Sequence, residues 1–439
     1  MPDPFLTLPA SPQLLLRRAR VPRCFLDAPD DAPGNAPELV PCDIRIAEGC
    51  IAAIGPSLDP AGGPAADLAG GIVFPGFVDM HTHIDKGHTW PRASNPDGTH
   101  GTALAAVKAD REANWSAEEV AARAGFSLRC AYAHGTVALR THLDSLGDQL
   151  GISWPVFKAL RAEWAGRITL QAAALVPLAA YGTPFCERLA DVVAEAGGLL
   201  GGSGALEPDA PALIRRVFDL AVDRNLDIDL HVDETGDPAA HTLRLIAQEA
   251  IRRRYAGRVT CGHCCSLAVQ DPAEARETVA LVADAGLTVV SLPMVNLYLQ
   301  GRRAPETPTW RGVTLLHELR AAGVRVAVAS DNTRDPFYGF GDLDMAEVFR
   351  EAVRIGHLDM PVGDWPAAAA SSPAAAMGVP GGRVRAGEAA DLVLFSARAY
   401  SELLSRPQSD RIVLRAGRVI DATVPSYREL DQLLPGMEV

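Results

Sequence analysis

The sequence predicts an α/β fold: a (β/α)8 barrel with a small β-sandwich domain formed from both chain ends. Three observations lead there. Eight apolar, strand-like runs alternate with helix-patterned segments through the middle of the chain. Such alternation implies βαβ units and a parallel sheet, and eight units suggest closure rather than an open sheet. Short strand-like runs stand at both chain ends, and 439 residues leave room for a barrel of ~250 residues plus a satellite domain.

Taken in order, Leu14-Leu15-Leu16 begins a strand, Asp43-Ile44-Arg45-Ile46 alternates like a second, and Cys50-Ile51-Ala52-Ala53-Ile54 follows. The stretch 59–71 is rich in Pro, Gly and Ala and is expected to be a loop. The barrel runs are 72–80, 136–141, 168–176, 198–206, 226–230, 259–262, 287–292 and 324–329. Between them, 117–133, 211–223, 239–255 and 273–285 carry helical patterning. Asp391-Leu392-Val393-Leu394-Phe395 and Arg411-Ile412-Val413-Leu414-Arg415 are short apolar runs that can pair with the first strands. The expected division is therefore a β domain from 1–70 and 385–439, and a barrel over 71–384.

Composition narrows the partners. Hydrophobic residues make up 48% and charged residues 22%, ordinary for a globular chain. A net charge of −13 argues against nucleic acid and anionic membrane, which both favour a basic face. No apolar run reaches the ~18 residues of a membrane span, and no basic segment leads into an apolar one at the start of the chain. The eight cysteines are scattered, without paired CxxC units of zinc-ribbon spacing, and are expected to be buried free thiols. A reducing cytoplasm suits this usage. The only lysines are Lys86, Lys108 and Lys158.

In a parallel barrel the chemistry sits at the C-terminal strand ends. The first run ends Asp79-Met80-His81-Thr82-His83. Residues i and i+2 of a strand point the same way, so His81 and His83 aim two imidazoles at one point, as adjacent metal ligands must. The fifth run ends in His231, a third nitrogen, with Glu234 three residues on as a proton shuttle. The sixth ends in His263, able to orient a water or polarise a substrate. The eighth ends in Asp331, an oxygen ligand that can also take a proton from the water. His142, after the second run, either touches this site or holds its neighbours in place. His88, His100, His134, His241, His317 and His357 are expected to be surface or packing residues.

The chain resembles the amidohydrolase superfamily over nearly its whole length, on Pro75-Gly76-Phe77-Val78-Asp79-Met80-His81-Thr82-His83 and on Gly387-Glu388-Ala389-Ala390-Asp391-Leu392-Val393-Leu394-Phe395. Within it, the bacterial cytosine deaminase group is most similar. That likeness rests on Arg140-Thr141-His142-Leu143-Asp144, His231-Val232-Asp233-Glu234, Val295-Asn296-Leu297-Tyr298-Leu299-Gln300-Gly301-Arg302 and Asp335-Pro336-Phe337-Tyr338. The resemblance implies a TIM-like barrel in which His81, His83, His231 and Asp331 hold one Zn2+ or Fe2+. It implies that Glu234 moves protons and that His263 and Asp331 handle the attacking water. Two departures concern the substrate. Leu178 stands where the group has a glutamine, and Asn332 where cytosine-specific members carry a second acid. With Phe337 and Gln300, these are the candidate substrate-binding residues.

The expected activity is metal-dependent hydrolytic deamination of an amino-substituted N-heterocycle, cytosine or a cytosine-like ring. Isocytosine, a triazine and a creatinine-like ring stay open. The rivals are hydrolysis of a cyclic amide or of an N-alkylamine C–N bond, and a non-catalytic barrel. Two-metal members of the superfamily commonly use a fourth-strand carboxylated lysine, and no lysine follows Lys158, although Glu207 could bridge instead. The expected partner is a small-molecule substrate, with a homo-oligomer possible in solution.

Overall fold

A computed structural model describes residues 5–27 and 37–434. They divide into two compact units, one from the described parts of 1–79, 129–138 and 344–425, the other from those of 80–128, 139–343 and 426–439.

In the first unit β1 (Gln13–Pro22), β2 (Leu39–Ala47), β3 (Cys50–Gly55) and β4 (Ala65–Asp67) make a four-stranded sheet ordered β3-β2-β1-β4. Leu14 faces Ile46 and Leu16 faces Ile44 across the antiparallel β1–β2 pair, and all four are buried. β4 corrects the expectation of a loop over 59–71. Ala65 to Asp67 pair parallel with Leu15 to Arg17, and buried Ala66 and Leu68 supply an apolar side that the turn-rich composition masks.

The run 72–80 also differs from expectation, for it holds two strands, β5 (Val73–Pro75) and β6 (Phe77–Thr82). Gly76 is the break. Its amide donates to the Asp391 carbonyl, while the next amide, on Phe77, donates to Gly135. A Cβ at Gly76 would stand 2.1 Å from Val137 Cγ1, so only glycine fits. β5 joins β14 (Leu392–Leu394), β15 (Ile412–Arg415) and β16 (Arg418–Val419) in a second four-stranded sheet, ordered β16-β15-β14-β5. Both chain ends thus contribute sheets to this unit. Phe74 anchors its core, with ring centroids 5.1 Å from Phe25 and 5.7 Å from Phe395.

β6 begins the barrel. It continues through β7 (Thr136–Asp144), β8 (Thr169–Leu175), β9 (Leu200–Gly204), β10 (Ile228–Val232), β11 (Val259–His263), β12 (Thr288–Ser291) and β13 (Arg325–Val328). These are the eight strands the sequence predicts. Strands β6-β7-β8 are neighbours, and β9 through β13 form a parallel set with Ile228 between Leu200 and Val259. Bridges Ala173–Leu199 and Pro177–Ser203 join β8 to β9, and Thr82–Asp331 joins the first strand to the segment after the last. The ring is closed, and the fold is a TIM-like α/β barrel.

Helices α1 (His100–Asn114) and α2 (Ala117–Ala133) follow β6. Then come α3 (Leu150–Glu163), α4 (Phe185–Ala196), α5 (Ala210–Arg224), α6 (Thr242–Arg253), α7 (Pro272–Asp284) and α8 (Pro293–Leu299). On α4, buried Cys186, Leu189, Ala190, Val193 and Ala196 recur at three- and four-residue steps, the one-sided stripe of a helix laid on a sheet. Among the described residues no helix is long and apolar enough to cross a membrane.

Candidate active site

The barrel strands deliver their polar ends to one place. His81 and His83 leave the end of β6, His231 the end of β10 and His263 the end of β11. Asp331 follows β13 and is tied back to β6 by its amide, which donates to the His81 carbonyl at 2.9 Å. His263 and Asp331 both take left-handed backbone, φ +67° and +63°, a strained state for non-glycine residues that recurs at functional sites. Gly262 makes room for His81, since a Cβ there would lie 2.8 Å from its Cε1.

His81, His83, His231 and Asp331, all buried, offer ligand atoms to one point. His231 Nε2 lies 3.1 Å from Nε2 of both His81 and His83. Asp331 Oδ1 is 3.1 Å from His83 Nε2 and 3.6 Å from His81 Nε2. Ligands at the Zn–N distance of ~2.05 Å around a tetrahedron stand ~3.3 Å apart, so the spacing fits a single transition-metal ion. Burial first, then neighbouring positive groups, holds the three imidazoles well below the usual histidine pKa. Neutral imidazole is the ligand form, and three inward nitrogens with one carboxylate call for a cation at their centre.

Glu234 sits beside this cluster, its side chain 14% exposed. Three neighbours surround its carboxylate. Asn296 Nδ2 donates to Oε1 at 3.4 Å, His263 Nδ1 stands 3.4 Å from Oε1, and His100 Nε2 stands 3.6 Å from Oε2. Gln300 Nε2 donates to the Glu234 carbonyl at 3.2 Å. Asp233 fixes the same loop, accepting from the amides of Thr242 and Leu243 at the start of α6. Burial pushes the Glu234 carboxyl up, but His263 and the His100 contact prevail and hold it below the usual range.

Beneath the cluster, Arg140 is almost fully buried and donates to Asp229 Oδ2 at 2.7 Å and to Gln171 Oε1 at 2.9 Å. Burial pushes Asp229 up to about 6 against the pull of Arg140. His142 is buried with its ring centroid 4.1 Å from His81 and 4.6 Å from His231. It therefore packs against the cluster.

The candidate substrate residues scatter more. Asn332 donates to Asp335 Oδ2 at 2.7 Å, and Phe337 stands edge-on to His100 at 5.4 Å. Leu178 is buried in the turn after β8, against Gly204. Gln300 reaches Glu234 as described above.

Sequence reasoning missed Lys86, Asn296 and His100. Lys86 is buried, donates to Asp144 Oδ1 at 2.7 Å and lies 3.3 Å from His83 Nδ1. A lysine three residues past a ligand pair could have been tested for a partner among the strand-end acids. His100 is a surface residue, as expected, and its ring also neighbours Glu234. No local signal marks it, because the contact joins the start of α1 to the loop after β10.

A closed parallel barrel with buried imidazoles and a carboxylate converging at its C-terminal rim defines the class as a barrel hydrolase. The chain belongs to the amidohydrolase family, whose pattern matches residues 65–153 and 182–421. The family is typically metal-dependent, and the protein is a hydrolase acting on C–N bonds other than peptide bonds.

It is 53% identical over 434 residues, 98% of this chain and 99% of the other, to a pterin deaminase of Rhizobium rhizogenes (strain K84 / ATCC BAA-868). Among solved structures it is similar to 5-methylcytosine deaminase from Klebsiella pneumoniae liganded with 5-fluorocytosine. That match has TM-score 0.79 and 24% identity, covering 92% of this chain and 97% of that one. It is also similar to N-isopropylammelide isopropylaminohydrolase from Burkholderia multivorans ATCC 17616, with TM-score 0.73 and 26% identity, covering 93% of this chain and 98% of that one.

Proposed function

We propose that this protein is a metal-dependent hydrolytic deaminase of an amino-substituted N-heterocycle, and that the ring is a pterin. The observation that carries the reaction is the carboxylate of Glu234 held between Asn296, His263 and His100 beside the four convergent ligand atoms. The pterin assignment is supported by 53% identity along the whole chain to a pterin deaminase. The pyrimidine half of a pterin is an isocytosine. Cytosine itself rests only on the likeness of fold at 24% identity.

In this reading His81, His83, His231 and Asp331 hold one divalent ion, Zn2+ or Fe2+. When bound, such an ion supplies Lewis-acid chemistry and draws the pKa of a water in the site toward ~7. Water attacks the amino-bearing ring carbon. His263 orients the water. Glu234, ionised in the resting site, takes one proton from the water and gives it to the adjacent ring nitrogen. Asp331 takes the second proton from the added hydroxyl, and it reaches the departing amine by way of Glu234, so that C–N breaks, ammonia leaves and an oxo group stays on the ring. Leu178, Asn332, Phe337 and Gln300 are assigned to the side on which the ring binds.

A second reading, hydrolysis of an N-alkylamine C–N bond, draws support from the isopropylaminohydrolase likeness at 26% identity. The two-metal cyclic-amide reading has less support. Glu207, its alternative bridge, turns back to accept from the Ala205 amide at 2.9 Å and is not in the metal-type clusters of the described residues.

We further assign the β domain to 1–70 and 385–439, its two sheets packed as a sandwich with β5 from the adjoining segment completing the second, and the barrel to 71–384. The absence of disulfides among the eight cysteines supports a cytoplasmic site of action on a dissolved substrate. A homo-oligomer is the assembly we would test for.

The test is product release from pterins, cytosine, creatinine and an N-alkylamino-triazine, with protein of measured metal content. Ammonia from pterins alone supports the proposal. Alkylamine from the triazine, without ammonia from any ring, moves the assignment to the second reading.

A further inference from the structure

His100 opens α1 after its N-cap Thr99, and its side chain is 46% exposed. Nothing in a helix start asks for histidine. The positive end of the helix dipole disfavours a protonated imidazole there. Yet Nε2 stands 3.6 Å from Glu234 Oε2, and the ring meets the edge of Phe337 at 5.4 Å. The opposite carboxylate oxygen is already occupied by Asn296 and His263.

We propose that His100 is a positioning residue for Glu234: its Nε2 holds the outer oxygen Oε2, so that Oε1 stays turned inward between Asn296 and His263. The inference rests on the deaminase reading of Glu234. Phe337 braces the imidazole from the loop after β13, joining a candidate substrate residue to the proton-handling group.

The groups that face His100 are few. Among the described residues, Glu234 is the anion paired with it. The charge of His100 in turn holds the His231 and His263 imidazoles down through space. Phe337 offers only a ring, and the Arg302 guanidinium packs on Gly98, two residues before it. Burial pulls the His100 imidazole down, but Glu234 prevails and raises it above the usual histidine value. A protonated His100 forms an ion pair with Glu234 at 3.6 Å, which a neutral imidazole does not. The hold therefore weakens as pH climbs past the raised pKa, and turnover falls on that alkaline side.

The experiment has two arms on metal-loaded, full-length protein. The first needs no substrate: histidine resonances of the zinc form are followed by NMR against pH in wild type and in Glu234→Gln. His100 is expected to titrate at lower pH in the variant. An unmoved titration overturns the proposal while leaving the deaminase reading intact.

The second arm uses whichever ring the wild type deaminates, and compares kcat and KM across pH for His100→Ala and His100→Gln. We expect His100→Ala to lose about 10- to 100-fold in kcat, part of what a positioned acid–base group contributes, with KM within about threefold. His100→Gln, which keeps a donor, should recover most of kcat and lack the alkaline fall. Activity within twofold of wild type in His100→Ala overturns the proposal. So does a loss with an unchanged pH profile and no recovery by glutamine, since that marks packing alone. Wild-type protein inactive on every ring refutes the deaminase reading instead.

Discussion

Replacing Glu234 by glutamine tests the proton-handling assignment with little structural disturbance. The two side chains have the same shape. The glutamine oxygen can occupy the Oε1 position and accept from Asn296 Nδ2, now at 3.4 Å. Its amino group then faces His100 Nε2, now 3.6 Å from Oε2, and a neutral imidazole can accept from it. No buried group loses its partner, so folding stability should change by less than about 1 kcal/mol. The four metal-type ligands are untouched, so metal content should equal that of wild type. A carboxamide cannot carry protons from the water to the ring nitrogen and the amine. The loss expected is ~10²- to 10⁴-fold in kcat, or about 2.7–5.4 kcal/mol of barrier. The assay is ammonia release at saturating substrate, with metal measured on the same sample. A variant with full metal and kcat within tenfold of wild type would refute the role.

Two further predictions concern buried charge. Arg140→Met strands Asp229 beneath the cluster and should cost about 3–5 kcal/mol in denaturant unfolding; a change under about 1 kcal/mol would contradict the structural role of the pair. Asp344, which caps the helix Met345–Gly356, pairs with Arg411, and Arg411 overrides burial to hold its carboxyl far below the usual range. A depressed pKa stabilises above the unfolded value of ~3.9 and the benefit fades as pH falls. Asp344→Asn should thus cost about 3–5 kcal/mol at pH ~7 and about 1 kcal/mol less at pH ~3. An equal cost at both would refute the linkage.

What could be read in the sequence was what repeats or sits at a fixed step. The eight barrel strands announced themselves because an inner strand is apolar along its length. His81 and His83 stood out through their spacing of two, and His231, His263 and Asp331 because each ends an apolar run. The break at Gly76 was hidden, since both halves of its run are buried and only the hydrogen-bond partners differ. β4 was hidden for the opposite reason: three residues are too few to outweigh the Pro and Gly around them. Lys86, Asn296 and His100 act across the fold on groups that no local pattern relates to them. Arg140 stands inside the motif Arg140-Thr141-His142-Leu143-Asp144, but its use depends on Asp229, 89 positions away.

The bridge from Thr82 to Asp331 closes the ring at the two ends of the barrel sequence. Closing so long a loop costs chain entropy, and contacts of long sequence separation are slow to form. Two of the proposed ligands flank that seam on one side and the fourth lies on the other. A ribosome-bound chain that has not yet delivered Asp331 therefore holds histidines but no complete site. On the proposed reading, the capacity for hydrolysis waits on closure of the ring, and a chain truncated before Asp331 is expected to be chemically silent.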